Sequence, residues 1–500
     1  MGNCPSITPP SLTRGELASQ EAQLTQTQVL TKCMYLWYEC HQEDVYELFL
    51  AGRRCSTVAL PAKNTTPITF REMLPLISAS TIGASIEWFN FFLYGFLAVT
   101  VFPQLFFPTL DPSAGAIAAF TTNFVGFAAR PIGGAFFGWF GDRIGRKSTL
   151  VATLLLMGTA TILMGILPGY AEIGIAAPIL LSLLRFLQGM ALGGEWSGSI
   201  LLCMEHGDDQ RRGFWTSWPQ TSVPIGLALS ALAVLLFQQL YPGEAFTSIG
   251  WRIPCLMSSA LIIIGLYIRL HIPETPAFQR IKGAQQIAKA PPLEVLYYHW
   301  RVVCLCALLR SAENAPFYLF TVFVLSYGAN VIQLDSSLLY TGIFFSAIIT
   351  FVTIPIFALI SDHIGRKRWF MLGVILMALF AVPYFALLQS RNPLLVVFAI
   401  VFSIGICISW LYGPEASLIA EHFGPRLRYS GASLGYQLAS ITAGGPAPII
   451  ATYLLSLHSP LTADLPPYIL IAFYIMCMAV ISLLAALSLK EYAGQQPADD

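Results

Sequence analysis

Long apolar runs constrain this 500-residue chain more than any motif does. A helix needs roughly twenty consecutive apolar residues to cross the hydrocarbon core of a bilayer, and runs of that length recur along most of the chain. Only 11% of the residues are charged while 56% are apolar, which excludes ordinary water-soluble folds. The sequence therefore predicts an all-α membrane protein that crosses the bilayer many times.

Hydropathy predicts twelve membrane spans that fall into two groups of six. The predicted spans are 75–101, 114–140, 148–168, 174–203, 213–239, 250–270, 299–327, 337–360, 369–389, 393–420, 430–457 and 467–489. The longest connection between them contains the pair Pro291-Pro292, as expected of a linker. The predicted organisation is a polar, disordered extension over 1–72, a six-helix bundle over 73–270, a linker over 271–298, a second bundle over 299–489 and a tail over 490–500.

Positive charge is divided unevenly between the two sets of loops. One set carries nearly all of the lysines and arginines, whereas the opposite set clearly offers only Arg391. Because short loops rich in Lys and Arg stay in the cytoplasm, the first set is predicted to be cytoplasmic. With an even number of spans, both termini are predicted to be cytoplasmic, in a multi-pass protein of the plasma (inner) membrane.

A dense polar turn follows the second span of each group. The first reads Gly-Asp-Arg-Ile-Gly-Arg-Lys over 141–147, and Ser-Asp-His-Ile-Gly-Arg-Lys over 361–367 repeats its acid, its second glycine and its last two basic residues. One such turn would be weak evidence, but two in matching places indicate a duplicated six-helix unit.

These turns also suggest a gate. An acid beside basic residues at the membrane surface can form ion pairs between helices and hold one arrangement of the bundles closed. We predict gating roles for Asp142, Arg143, Arg146, Asp362, Arg366 and Arg428. The expected contact between the bundles joins Asp142 to an arginine of the 421–430 loop, such as Arg428. The alternative is that the basic residues only set the topology.

Charged side chains inside the predicted spans carry the main functional signal, because each costs about 2.5 to 3.5 kcal/mol even on a lenient insertion scale. They are Glu87, Arg130, Arg185, Glu195, Arg310, Glu313 and Glu415. The first four belong to one group of spans and the last three to the other, which favours a site between the groups. Arg130 precedes the polar turn by about ten residues, so helical rise puts it about 15 Å deep.

Arginines at this depth favour a negatively charged ligand. A guanidinium stays charged and offers a planar fork of donors that suits a carboxylate. Arg130, Arg185 and Arg310 therefore predict an anionic or zwitterionic solute rather than a neutral sugar. The alternative for each is a structural ion pair with a glutamate, and for Arg310 and Glu313, three residues apart, that alternative is the stronger one.

Glu87 is the candidate proton carrier. Burial favours the neutral form of a carboxyl group, whereas a neighbouring arginine favours the ionised form, so the binding of a solute could switch it. The alternative is a permanent ion pair between Glu87 and Arg185.

Several segments resemble a known family over about residues 70 to 490. The signature GxxxDRxGRK of the major facilitator superfamily stands here as Gly138, Asp142, Arg143, Gly145, Arg146 and Lys147. More narrowly, the chain resembles the metabolite:proton symporter family, the group of the shikimate, alpha-ketoglutarate, citrate and proline/betaine transporters. The matching residues are Glu87-Trp88-Phe89, Tyr94-Gly95-Phe96, Arg130 to Gly134, Arg185, Gln188, Gly189, Gly193 to Trp196, Gly250 to Pro254, Pro273 to Phe278, Arg310 with Glu313-Asn314, and Arg428 to Ser433.

The resemblance implies a twelve-helix secondary transporter of two pseudo-symmetric bundles, working by alternating access with proton symport. It implies substrate-binding roles for Arg130, Arg185, Arg310, Asn90, Gln188 and Tyr318, and proton-coupling roles for Glu87, Glu313 and Glu415. The chain departs from the family at Asn90, where relatives usually carry the aspartate that family analogy makes the coupling carboxylate. Glu87 or Glu415 could replace it, and a non-coupled uniporter or exchanger is the alternative.

No nucleophile–base pair, metal-ligand set or phosphate-binding loop stands out in the sequence. An enzyme, a metal site, a cofactor and a nucleic-acid partner are therefore not predicted. The expected partners are a small organic acid or zwitterion, a proton and the lipid bilayer, and the chain is expected to be a monomer. A transport-dead sensor on the same scaffold is a further alternative, which the long amino-terminal segment invites.

Overall fold

The computed structural model describes residues 68–109, 112–271, 279, 291–457 and 466–492. The extension predicted over 1–72 lies almost wholly outside these residues, as do most of the predicted linker and most of the predicted tail. The first helix begins at Phe70, where Thr69 and Glu72 form a capping box, so the helix start follows from local sequence.

Twelve helices in the described ranges have the length of a membrane span. They are α1 Phe70–Thr100, α2 Pro112–Arg143, α3 Arg146–Ile166, α4 Ala176–His206, α5 Asp209–Leu240, α6 Phe246–Leu270, α7 Trp300–Leu309 continued by Ser311–Ile332, α8 Ser336–Ile364, α9 Arg366–Gln389, α10 Pro393–Ala420, α11 Arg428–Ser456 and α12 Ile469–Ser488. Eleven contain a stretch long and apolar enough to cross a membrane, and α2 completes the set with 32 residues. Each predicted span coincides with one of them to within a few residues, and the all-α membrane fold is confirmed.

The region before α7 differs from a simple linker. Pro291–Tyr298 forms a helix of 8 residues that makes an angle of 87° with Trp300–Leu309. Helix α7 is itself interrupted at Arg310, which lies between its two segments. Because Pro has no amide hydrogen and a fixed φ, the Pro291-Pro292 pair is well suited to start a helix.

Helices α1 and α7 occupy the most enclosed positions in the protein. Within its most apolar stretch, α1 is 89% buried and the α7 segment 78% buried, whereas α6 is only 33% buried. α1 and α7 are the first helices of their respective halves, so the duplication predicted from the polar turns is also visible in the packing. Glu87 on α1 and Arg310 and Glu313 on α7 are therefore inside the protein and not exposed to lipid.

Helices α2 and α4 pack backbone against backbone. A Cβ atom added to Gly133 would collide with the backbone of Met190, and one added to Gly193 would collide with the backbone of Arg130. Small residues permit this close approach in membrane proteins. The contact holds Arg130 at a defined position against α4.

The two polar turns lie at the same end of the helices. We call this end the motif face, defined by Asp142 at the end of α2 and Asp362 at the end of α8, and the other end the opposite face. At both turns a glycine has a positive φ, 124° at Gly145 and 103° at Gly365, a conformation that other residues adopt only with strain. The repeated glycine in the two sequences therefore has a backbone reason.

Candidate functional site

A small cavity lies between the two halves. Its lining comes from α1, α2 and α5 of the first half and from α7, α8, α10 and α11 of the second: Trp88, Arg130, Val223, Pro224, Leu227, Arg310, Glu313, Asn314, Phe317, Tyr318, Thr350, Ile354, Ile404, Ile408, Tyr412 and Tyr436. Its volume is about 20 Å³, close to the least space that one ordered water needs. The halves are closed around the cavity, and a solute can enter only when they move apart.

Arg130 crosses from the first half to the second. Its Nη2 donates to Oη of Tyr318 at 3.1 Å and its Nη1 to Oγ of Ser440 at 3.4 Å. Its Cζ lies 4.2 Å from the ring centre of Phe91 and 4.5 Å from that of Phe127. None of the contacts that the described residues make with it is to a carboxylate. A buried cation without a paired anion is costly, so Arg130 is well suited to bind a negatively charged solute.

Arg310, in contrast, is paired twice. Its Nε donates to Glu415 at 2.5 Å, its Nη2 to Glu313 at 2.9 Å and its Nη1 to the backbone oxygen of Tyr436 at 2.8 Å. The guanidinium Cζ lies 3.4 Å from the ring centre of Tyr436. We call Arg310, Glu313 and Glu415 the acidic triad, because two carboxylates share one cation. With both ionised, the acidic triad has one excess negative charge.

Arg185 and Gln188 lie one layer behind the cavity. Arg185 donates to Asn123 at 2.6 Å and to Gln188 at 3.0 Å, and its Cζ lies 3.8 Å from the ring centre of Phe91. Phe91 thus separates Arg185 from Arg130, which contacts the same ring. Neither Arg185 nor Gln188 lines the cavity, so the structure does not bring them to the position predicted from the sequence.

Glu87 belongs to a separate cluster inside the first half. Its Oε1 accepts hydrogen bonds from Arg269 at 2.8 Å and from Thr153 at 3.2 Å, and Arg269 also pairs with Glu195 at 3.4 Å. The alternative pairing of Glu87 with Arg185 is wrong, because the partner is Arg269 on α6. This cluster does not line the cavity.

Asn90 is also turned away from the cavity. Its Oδ1 accepts a hydrogen bond from Ser258 on α6 at 2.5 Å, and its side chain is fully buried. The position that departs from the family pattern is therefore part of the packing between α1 and α6.

Arg269 was missed because it lies next to the end of its span, where basic residues usually only set topology. Its side chain is nevertheless buried, at 1% exposure. A Cβ atom added to Gly83 on α1 would collide with its guanidinium. Gly83, four residues before Glu87, was thus the sequence signal that a large side chain packs against α1 next to Glu87.

Each of the two aspartates of the motif face binds the start of a helix in the other half. Asp142 accepts from the backbone N of Ser430 at 3.2 Å and from its Oγ at 2.7 Å. Asp362 accepts from the backbone N atoms of Gly213 and Phe214, both at 2.9 Å. Negative charge at a helix N-terminus meets unpaired N–H groups and a favourable dipole. The two contacts are equivalent, and they join the halves twice.

The predicted partner of Asp142 is therefore wrong. Arg428 donates instead to the backbone oxygen of Phe423 in its own half, at 3.0 Å. The first amides of α11 lack partners within their helix, so the amide of Ser430 takes the place of a side-chain cation at Asp142.

The neighbouring arginines hold these aspartates in place. Arg146 pairs with Asp142 at 3.6 Å, and Arg366 pairs with Asp362 at 2.9 Å. Arg143 is exposed and its Cζ lies 4.8 Å from the ring centre of Trp139. Arg366 thus pairs within its own half, whereas Arg146 also reaches the second half, since its Cζ lies 5.8 Å from the ring centre of Tyr429.

A buried ion pair between the halves was not predicted. Arg212, in the first turn of α5, reaches Glu421 after α10 at 3.6 Å, and Glu421 also pairs with Arg366. Both residues lie in predicted loops, so Arg212 was counted only among the basic residues that set the topology and Glu421 was given no role. Their burial arises only because the two halves meet.

The cavity is closed toward the motif face by contacts between α4 and α11. Tyr429 donates to the backbone oxygen of Gly194 at 2.6 Å, and Ser433 donates to that of Gly193 at 3.1 Å. Glycines in α4 expose their carbonyl groups to these side chains. The closure is therefore made of polar contacts that can be broken and replaced by water.

Toward the opposite face the closure is aromatic. The rings of Phe92 and Phe317 lie 5.8 Å apart, and those of Phe96 and Tyr340 lie 5.4 Å apart. These pairs join α1 to α7 and α8. Both entrances are closed, by different chemistry on the two sides.

Three helices of the second half have a widened π-helical turn beside the cavity. These turns are Leu319–Phe323 in α7, Ser403–Ile408 in α10 and Ser440–Gly444 in α11. They follow or contain Tyr318, Ile404, Ile408 and Ser440, which line the cavity or contact Arg130. Such turns often occur at functional sites.

Comparison with known proteins identifies the family. The model of the Major Facilitator Superfamily matches residues 81–447. The chain is 39% identical over 436 residues to the inner membrane metabolite transport protein YhjE of Escherichia coli (strain K12), covering 86% of this chain and 96% of the relative. It is 37% identical over 415 residues to the shikimate transporter of the same strain, covering 82% and 93%. A solved structure of the proton:xylose symporter XylE bound to 6-bromo-6-deoxy-D-glucose has a TM-score of 0.67 at 16% identity, covering 85% of this chain and 97% of XylE. The chain therefore belongs to the Major Facilitator Superfamily.

Proposed function

We propose that this chain moves a small organic acid or zwitterion across the bilayer by alternating access, together with a proton. The observation that carries the proposal is Arg130, a buried cation that faces the cavity and contacts no carboxylate among the described residues. The named relatives are transporters and not enzymes, and one of them is named for shikimate, an organic acid. The protein is proposed to act as a monomer in the plasma (inner) membrane, with both termini cytoplasmic.

The acidic triad is the proposed proton site. Glu313 lines the cavity together with Arg130, whereas Glu87 pairs with Arg269 away from it. With Glu313 and Glu415 ionised, the charge of the acidic triad balances that of Arg130. An entering anion would disturb this balance, and one proton on either glutamate would restore it. Buried charges are stable only when they are compensated, so this balance links the proton to the anion.

A zwitterion fits the same site without a proton. Its carboxylate would bind Arg130 and its cation would lie near the acidic triad, whose Glu313 lines the cavity and whose carboxylates outnumber its cation. A uniporter or exchanger is the alternative mechanism for such a solute.

Uptake into proteoliposomes tests the proposal. With shikimate as the probe and an acidic exterior, we expect accumulation above the external concentration and its loss when an ionophore collapses the pH gradient. Saturable uptake that does not depend on the pH gradient would indicate uniport or exchange instead of symport. Binding without flux would indicate the sensor alternative.

The motif-face contacts are the proposed gate, and Asp142→Asn is expected to weaken it. Loss of the charge removes an interaction of about 0.3 to 2 kcal/mol with the start of α11, which shifts the population toward opening at the motif face by up to about 30-fold. Double electron–electron resonance between spin labels attached at positions 144 and 364 measures this opening, because Ile144 and Ile364 are both about half-exposed. The variant should show a larger fraction of long label-to-label distances than the wild type.

Asp335→Asn is the matched control for the gate. Asp335 also caps a helix, since it accepts from the backbone N of Ser337 at 3.1 Å, but both residues belong to the second half. Its substitution should leave the label distances unchanged. Equal distance distributions in wild type and Asp142→Asn would exclude a gating role for this contact.

A further inference from the structure

We infer that the solute has a single carboxylate on a compact body with an apolar side, and that di- and tricarboxylates are rejected. This inference rests on the proposed function and narrows its substrate class. It follows from three properties of the cavity: how many of its cations are available, where its anion lies, and what the remaining wall is made of.

Among the described residues that line the cavity, Arg130 is the one cation that is not already paired with a carboxylate. Of the two arginines that line it in the described chain, Arg310 has its Nε, Nη1 and Nη2 all engaged by Glu415, Tyr436 and Glu313. Arg130 donates only to two hydroxyl groups, and its buried Nε has no hydrogen-bond partner in the described residues. A carboxylate is a stronger acceptor than a hydroxyl, so one carboxylate can replace those contacts.

A second carboxylate could not reach another cation. Arg185 is fully buried behind Phe91, and its guanidinium is already bonded to Asn123 and Gln188. Access to Arg185 would require the Phe91 ring to leave its position next to both guanidinium groups, 4.2 Å from the Cζ of Arg130 and 3.8 Å from that of Arg185.

A second carboxylate would also meet a like charge. Glu313 lines the cavity beside Arg310, and the acidic triad already contains more carboxylates than cations. Like charges in a site of low dielectric disfavour one another strongly. The acidic triad therefore selects against any additional negative charge on the solute.

Part of the cavity wall is aliphatic, while Asn314, Thr350 and Tyr412 contribute polar groups to other parts of it. The aliphatic part consists of Val223, Pro224 and Leu227 from α5, Ile354 from α8, and Ile404 and Ile408 from α10. Such side chains donate no hydrogen bonds, and a buried carboxylate without donors is costly. An apolar body, by contrast, gains from leaving water at this surface. A solute with one carboxylate for Arg130 and an apolar side for the aliphatic part of the wall therefore fits the described lining.

Matched pairs of acids test the inference in proteoliposomes. We would use benzoate with terephthalate, cyclohexanecarboxylate with its 1,4-dicarboxylate, and shikimate as a reference, each as an inhibitor of shikimate uptake. The expected result is at least tenfold weaker inhibition by each dicarboxylate than by the monocarboxylate of the same skeleton. Equal or stronger inhibition by the dicarboxylates would overturn the inference and leave the proposed transport of anions intact. Failure of every acid, shikimate included, to be transported or bound would overturn the proposed function itself.

Two variants separate rejection by Glu313 from simple exclusion by size. In Glu313→Gln the preference for the monocarboxylate, measured by binding to the purified protein, should shrink about tenfold. Glu415→Gln removes the same charge from the acidic triad, but Glu415 does not line the cavity, so its effect should be smaller. A preference that is unchanged in Glu313→Gln would show that Glu313 does not reject the second carboxylate.

Discussion

Arg130→Ala is expected to abolish solute uptake while the protein still inserts into the membrane. The variant removes the one cavity-lining guanidinium that contacts no carboxylate in the described chain. Truncating one partner of a buried charge pair costs about 2 to 5 kcal/mol, so binding should weaken about 30-fold or more. Uptake into proteoliposomes measures the first effect, and binding to the purified protein measures the second.

Two controls make the result specific. Arg391→Ala removes an exposed arginine at the opposite face and should leave uptake unchanged. Arg130→Lys keeps the charge but loses the planar fork of donors, so it should retain part of the binding. Uptake by Arg130→Ala at the level of the wild type would remove Arg130 from the substrate site and, with it, the main support for an anionic solute.

Glu313→Gln is expected to lose accumulation driven by a pH gradient while exchange of solute across the membrane persists. An amide cannot carry the proton, and the remaining pair of Arg310 with Glu415 is electrically balanced. The solute could then move down its own concentration gradient but would not accumulate against it. Counterflow measured beside gradient-driven uptake in the same vesicles separates the two activities.

Glu87→Gln distinguishes between the two candidate proton sites. Glu87 contacts Arg269 and Thr153 inside the first half, so its loss should lower thermal stability and leave gradient-driven accumulation in place. Breaking a buried ion pair costs about 3 to 5 kcal/mol when no other anion is near, and Glu195 reduces that cost here by also pairing with Arg269. The opposite outcome, with proton coupling lost in Glu87→Gln and kept in Glu313→Gln, would identify Glu87 as the proton carrier.

The sequence by itself determined the membrane class, the twelve helices and the duplication. Apolar character belongs to each residue and is read along the chain without knowledge of its neighbours in space. The same local reasoning predicts the depth of Arg130, because helical rise converts residue number into distance. The repeated turns could also be recognised, since a positive φ requires glycine at Gly145 and Gly365 whatever surrounds them.

The partners of the buried charges were decided only by the tertiary structure. Glu87 pairs with Arg269 and not with Arg185, and Asp142 binds the start of α11 at Ser430 and not Arg428. In an interior of low dielectric the energy of a charge depends on which groups lie within a few ångströms. That distance is set by the rotation of each helix and by close contacts such as Gly133 against Met190. The sequence therefore named most of the charged groups, and packing decided which of them line the cavity between the halves and which form ion pairs away from it.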